Sequence, residues 1–177
     1  DYAIDDKKAE LRMTSDSEQL VVTTEDIEAI LPKVFGTFKP EWGLYLVPPH
    51  GELIWRSKKK ATVKTVKFTE HIGEPVYLFS GNYCYGIITL KEPQEIDLEV
   101  FKRLQPIHQI TEEERKEWAE DYKGWETGPF YYYELTVDVR VDPPTLVKLP
   151  KGVQNWVAEK NVTWIKKAPV AHILIIH

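Results

Sequence analysis

Ser57-Lys58-Lys59-Lys60-Ala61-Thr62-Val63-Lys64-Thr65-Val66-Lys67-Phe68 is the stretch on which the reading of this chain turns. From Ala61 to Phe68 apolar and polar residues alternate with period two, as in a strand with one buried face. Ahead of the alternation stand three consecutive lysines. With Arg56, Lys64 and Lys67 they make six cations between residues 53 and 69, without one acid. A local cluster of this kind says more about partners than the net charge of −5 does.

On the N-terminal side, Gly43-Leu44-Tyr45-Leu46-Val47 reads as a strand, Pro48-Pro49-His50-Gly51 as a turn, and Glu52-Leu53-Ile54-Trp55 as renewed apolar character. On the C-terminal side, Pro75–Phe79 and Tyr83–Leu90 flank Ser80-Gly81-Asn82 and form a hairpin. Two short helices follow, one over 97–104 that closes at Pro106, the other capped by Thr111 and running to about Tyr122. Phe130–Val139 is the longest strand, which Pro143-Pro144 is expected to break. Near the start, Thr23/Thr24 followed by Glu25-Asp26 caps a further helix running to about Val34. The expected class is α+β, mainly β: a small pseudo-barrel with two inserted helices and an N-terminal helix. It divides into an acidic segment over 1–40, a barrel over 41–144, and an extension over 145–177 that packs on or lengthens the barrel.

The 177 residues, 42 % hydrophobic and 29 % charged, support a real core and exclude wholesale disorder. The longest apolar run, Val170–Ile176, is strand-length, well short of a membrane helix. A single cysteine, Cys84, excludes an internal disulfide framework and points to a reducing, cytoplasmic setting. Residues 1–30 hold nine acids and three bases, so the other 147 residues sum to about +1. The acidic segment reads either as a linker or as a flap that competes for the basic cluster. Asp1 in place of Met, and His177 directly after an apolar run, suggest a module of a larger polypeptide.

This order of elements resembles the ASCH domains, relatives of the RNA-binding PUA fold, over about residues 42–140. The family signature, G-x-K-x-x-T-x-R/K, is matched at Lys59, Thr62 and Lys64, with Ser57 where the family has glycine. Ile72-Gly73-Glu74-Pro75-Val76-Tyr77-Leu78, Tyr85-Gly86-Ile87-Ile88 and Tyr131-Tyr132-Tyr133-Glu134-Leu135 resemble the later family elements in order. The resemblance implies a pseudo-barrel whose cleft admits nucleic acid, a nucleotide or a modified base. It also implies, as a second activity, amidohydrolysis of acylated cytidines by a Lys, a Thr and a Glu. Lys59 and Thr62 match the first two, and Glu112 or His108 stands near the third.

The favoured reading is a nucleic-acid-binding module, for RNA or for single-stranded or modified DNA, rather than an enzyme. Arg56, Lys58, Lys59, Lys60 and Lys64 supply phosphate contacts, Trp55 a stacking surface, and His50 a turn residue within reach of the cleft. The alternatives are the small amidohydrolase, with Lys59 activating the Thr62 hydroxyl, and a structural module in which 145–177 pairs with a partner protein. The histidines show no metal-ligand spacing, and no glycine-rich phosphate loop or nucleophile elbow is present, so neither metal nor cofactor is expected.

Overall fold

The computed structural model describes residues 40–165 in full, together with the backbone of three flanking strands. Those are β1 (Leu11–Met13), β2 (Ser17–Val22) and, at the other end of the chain, Ala171–Ile176. The helix expected over Glu25–Val34 lies outside the described residues. Between the flanks run β3 (Trp42–Leu46), helix α1 (His50–Trp55), β4 (Ala61–Lys64), β5 (Pro75–Ser80), β6 (Tyr83–Leu90) and β7 (Gln94–Ile96). Four short helices follow: α2 (Leu98–Arg103), α3 (Gln105–His108), α4 (Glu112–Asp121) and α5 (Gly124–Thr127). The chain then enters the 19-residue strand β8 (Phe130–Lys148), followed by β9 (Trp156–Ala158), β10 (Thr163–Trp164) and β11 (Ala171–Ile176). The architecture is a curled, mainly β sheet with helices inserted between β7 and β8.

β8 is the spine of this sheet. Its first half pairs with β4 on one edge and β7 on the other; its second half pairs with β6 and β11, and its end with β10. β6 continues through β5 and β3 to β9, while β11 continues through β2 to β1. The hairpin of β5 and β6 forms where expected, with Gly81 at φ 59° in its turn.

Three features differ from the sequence reading. Pro143-Pro144 does not break the strand. β6 pairs Cys84 with Thr145 and Gly86 with Arg140, so β8 carries extra residues there, and the prolines fall in this irregularity, where no ladder N–H is needed. His50–Trp55 is a helix instead of a turn followed by extended chain. His50, Gly51 and Ile54 form its buried face, and a Cβ on Gly51 would lie 2.2 Å from that of Ser80 on β5, so this helix can dock only with glycine there. The alternating strand ends at Lys64, four residues short of Phe68.

Alternation across β4 and the start of β8 serves two cores. Ala61, Val63, Phe130 and Tyr132 pack with Phe101 and Ile110 under the helices. Tyr133 faces the other way, with Leu44, Ile54, Leu78 and Ile88 inside the barrel. Both faces of this aromatic stretch of β8 are therefore core. Gly86, at φ 147°, meets the spine so closely that a Cβ would sit 1.9 Å from the Val139 carbonyl oxygen. Gly86→Ala should therefore lower unfolding stability by about 3 kcal/mol or more. A denaturant midpoint within error of wild type would show that the two strands can separate without penalty.

Candidate functional site

β4, α1, α4 and the loop before β9 enclose a cavity of about 430 Å³. Its floor is set by local backbone. After α1 the chain reverses at Ser57, whose φ of 63° lies in the left-handed region that glycine adopts freely. This accounts physically for a glycine at the first position of the motif. The amides of Lys58 and Lys59 both reach the Leu53 carbonyl, and β4 then starts at Ala61. Thr62 and Lys64, two residues apart on one strand, take the same side, and both line the cavity with Lys59 and His50.

Lys59 is buried to 2 % exposure, and its Nζ donates a hydrogen bond to the His108 carbonyl. Burial, followed by the Lys64 charge, lowers its pKa to about 7, against the pull of Glu114. Burial lowers Lys64 to about 8. Among the described residues neither lysine has a carboxylate within ion-pair distance, and Lys64 and the Thr62 hydroxyl have no hydrogen-bond partner.

Glu114 is held at both oxygens. Oε1 accepts from the Thr111 amide at 3.0 Å, completing a capping box, and Oε2 lies 2.8 Å from His50 Nε2. Burial alone would raise its pKa, but the Thr111 amide and His50 outweigh this and keep it low, so it is a carboxylate at neutral pH. Burial and then Lys59 lower His50 to about 4 against the opposing effect of Glu114, so neutral His50 donates Nε2–H. Its Nδ1 is buried without a partner among the described residues.

His108 is committed elsewhere. Nδ1 accepts from the Ile110 amide and Nε2 donates to the Phe101 carbonyl, with its pKa lowered to about 4 chiefly by burial. It contributes its backbone carbonyl to the site and its ring to the core. Of the two residues placed near the third family position, Glu112 forms a paired contact with Arg115 at 2.8 and 3.0 Å, so the side chains of both are engaged with partners outside the cavity.

The walls are aromatic. Trp118 stands 5.9 Å from the His50 ring and 4.8 Å from Trp125, and Arg115 fixes α5 beneath them through the Trp125 and Glu126 carbonyls. Tyr45 closes another side. Val47, Val66 and Tyr122, three of the large apolar residues that remain exposed, form the rim.

The structure thus brings together His50, Lys59, Thr62 and Lys64. Arg56 points to solvent and pairs with Glu52 at 3.5 Å, while Lys58 and Lys60 are exposed and do not line the cavity. Trp55 is turned to the second half of β8: its Nε1 donates to the Val141 carbonyl at 2.7 Å, and the Arg140 guanidinium lies 3.8 Å from its ring. Sequence reasoning set Glu114 aside as a first-turn helix acid and did not place Trp118 or Tyr122 in the site. Glu114 and Trp118 stand four residues apart on α4, and Tyr122, four further on, is its C-cap, a spacing that puts all three on one face. No group of three or more potential metal ligands occurs among the described residues, and none of their helices is long and apolar enough to cross a membrane.

Neither a family model nor a curated protein matches the chain. In structure it is similar to the ASCH protein of Zymomonas mobilis. A serine-to-alanine variant of that protein aligns with a TM-score of 0.48 at 12 % identity, over 73 % of this chain and 92 % of that one. The ASCH protein itself aligns at 0.44 and 14 % identity, over 71 % and 87 %.

Lysines whose pKa is lower folded than unfolded bind fewer protons in the native state, so stability rises with pH between the two values. For Lys59 and Lys64 that window opens at about 7 and about 8 and closes near 10.5. The melting midpoint should rise by at least ~3 °C between about pH 7 and about pH 9, and the rise should shrink in Lys64→Met. A flat or falling profile would mean that the two ammonium groups are solvated.

Proposed function

We propose that the cavity binds a single nucleobase with its phosphate, either as a nucleotide or as one unstacked base of single-stranded RNA or DNA. The observation that carries this reading is the pairing of aromatic walls with two lysines that lack a carboxylate partner within ion-pair distance among the described residues. Bases stack on aromatic side chains and phosphates pair with cations. A cavity of this volume falls in the usual range for small-ligand sites. The exposed cations of the cluster lie away from it, so the reading is of one base captured in a pocket, not of a strand laid along a basic groove.

A second reading, hydrolysis of an N-acylated cytidine-type nucleoside, is favoured by one feature: the Thr62 hydroxyl lines the cavity with no hydrogen-bond partner among the described residues. A neutral Lys59 amine would accept its proton as Thr62 Oγ attacked the acyl carbonyl, and the Glu114 carboxylate would stabilise the resulting ammonium. The ammonium would return that proton to the cytidine N4 as the acyl C–N bond broke, and water would then release the acyl group from Thr62 as a carboxylic acid.

Fluorescent single-stranded oligonucleotides and mononucleotides, titrated at several salt concentrations, test the first reading. With one phosphate neutralised by the two lysines, the log–log salt slope for a single strand should be about −0.7. Lys64→Ala should weaken binding roughly tenfold, and Lys58→Ala should not. A much steeper slope, or equal effects of both substitutions, would move the interface to the outer surface. Release of cytidine from N4-acetylcytidine, abolished in Thr62→Val with binding intact, would establish the second reading; no release rejects it.

A further inference from the structure

We propose that Lys59 is a nucleophilic amine, able to condense with an aldehyde or ketone admitted to the cavity and form an imine. This concerns the same cavity as the base-binding reading but not the identity of its natural ligand, so the two stand or fall separately.

The geometry supplies what such an amine needs. Lys59 is nearly sealed from bulk water yet lines the cavity, and one of its N–H groups is fixed on the His108 carbonyl. In the neutral amine this anchor leaves the lone pair free of that carbonyl. Four ionisable groups face Lys59 from the surrounding elements: Lys64 on β4, Glu114 on α4, His50 on α1 and His108 on α3. Lys64 repels a charge on Lys59, and both histidines are neutral. Glu114 alone favours the ammonium, and His50 Nε2 at 2.8 Å and the Thr111 amide at 3.0 Å restrain its two oxygens. Burial, a neighbouring cation and a carboxylate tied elsewhere are the conditions that activate a lysine.

In the reaction the neutral Nζ attacks the carbonyl carbon, and the C=O π pair becomes the carbinolamine hydroxyl as a proton passes from nitrogen to oxygen. The nitrogen lone pair then expels that hydroxyl, which leaves as water with a proton from Lys64. The iminium returns one proton to Lys64, so the balance is amine plus carbonyl to imine plus water.

The test is reductive trapping of the whole protein with benzaldehyde, and with formaldehyde as a smaller probe, in the presence of cyanoborohydride, mapped by peptide mass spectrometry. Lys58 and Lys60, exposed on either side of Lys59, are internal controls. At about pH 7 Lys59 should be alkylated at least tenfold faster than either. In His50→Leu, which releases one Glu114 oxygen, Lys59 labelling should shift to higher pH, and a thermal melt verifies that this variant is folded. Labelling of Lys58 and Lys60 as fast as Lys59 with both aldehydes, or an adduct on Lys64 in its place, overturns the proposal.

Discussion

Everything in this molecule hangs on β8 offering its backbone to five other strands. A strand of 19 residues with β4 and β7 on its first half and β6 and β11 on its second cannot stay flat, because right-handed twist accumulates along it and the two sets of partners diverge. The divergence curls the sheet, and the irregular pairing of 141–144 against Tyr85 relieves it. Among the described residues β4 pairs with no strand but β8, with Thr62 opposite Tyr133 and Lys64 opposite Tyr131. The register of that one pairing decides which residues enter the cavity. A shift of one residue would place Ala61 and Val63 there and drive Thr62 and Lys64 into the core under the helices.

The same constraint explains how two lysines come to be partly dehydrated. Lys59 lies between the end of α1 and the start of β4, with the Lys60 amide on the Ile107 carbonyl and the Lys60 carbonyl accepting from Leu135 N–H. Its side chain can only run inward, beneath α3. Taking an ammonium out of water is costly unless it is paired, and a nearby group often lowers the cost by surrendering its charge. Here Lys59 itself moves toward neutrality, and a backbone carbonyl receives its hydrogen bond in place of a carboxylate. The apolar packing on either side of β4 offsets what the site costs. Local conflict within an otherwise consistent fold is where function concentrates.

How much could be read from the sequence follows from the range of each interaction. β4, the β5–β6 hairpin and the capping box of α4 depend on neighbours in sequence, and periodicity, a Ser-Gly-Asn turn and Thr111 with Glu114 make them legible. Lys59, Thr62 and Lys64 were singled out by the resemblance to the ASCH signature, because spacing alone suits a solvated strand face equally well. α1 was not, because Gly51 and the aromatic Trp55 are poor helix formers and the helix exists by packing on β5. Trp55 beside six cations looked like a stacking platform, and only the fold reveals that Arg140, 85 residues away, covers it and that Val141 takes its N–H. Glu114 carried a misleading signal: its capping role fully accounts for an acid at that position, which hid its second oxygen meeting His50 across 64 residues.

That second contact also separates what the cavity can bind from what it can transform. A carboxylate free to reach Lys59 would give a closed ion pair, a good structural element and a poor acceptor for either phosphate or carbonyl. With one oxygen on the Thr111 amide and the other on neutral His50, the charge of Glu114 is felt at Lys59 without being spent on it. Lys59 and Lys64 therefore remain available to whatever enters. On the base-and-phosphate proposal, an anionic ligand would keep both protonated and be held by charge. A neutral ligand would leave Lys59 near its lowered pKa, in a cavity also lined by the Thr62 hydroxyl, which has no hydrogen-bond partner among the described residues. If both proposals hold, the ligand's own charge decides which behaviour the site displays, with no rearrangement of the fold.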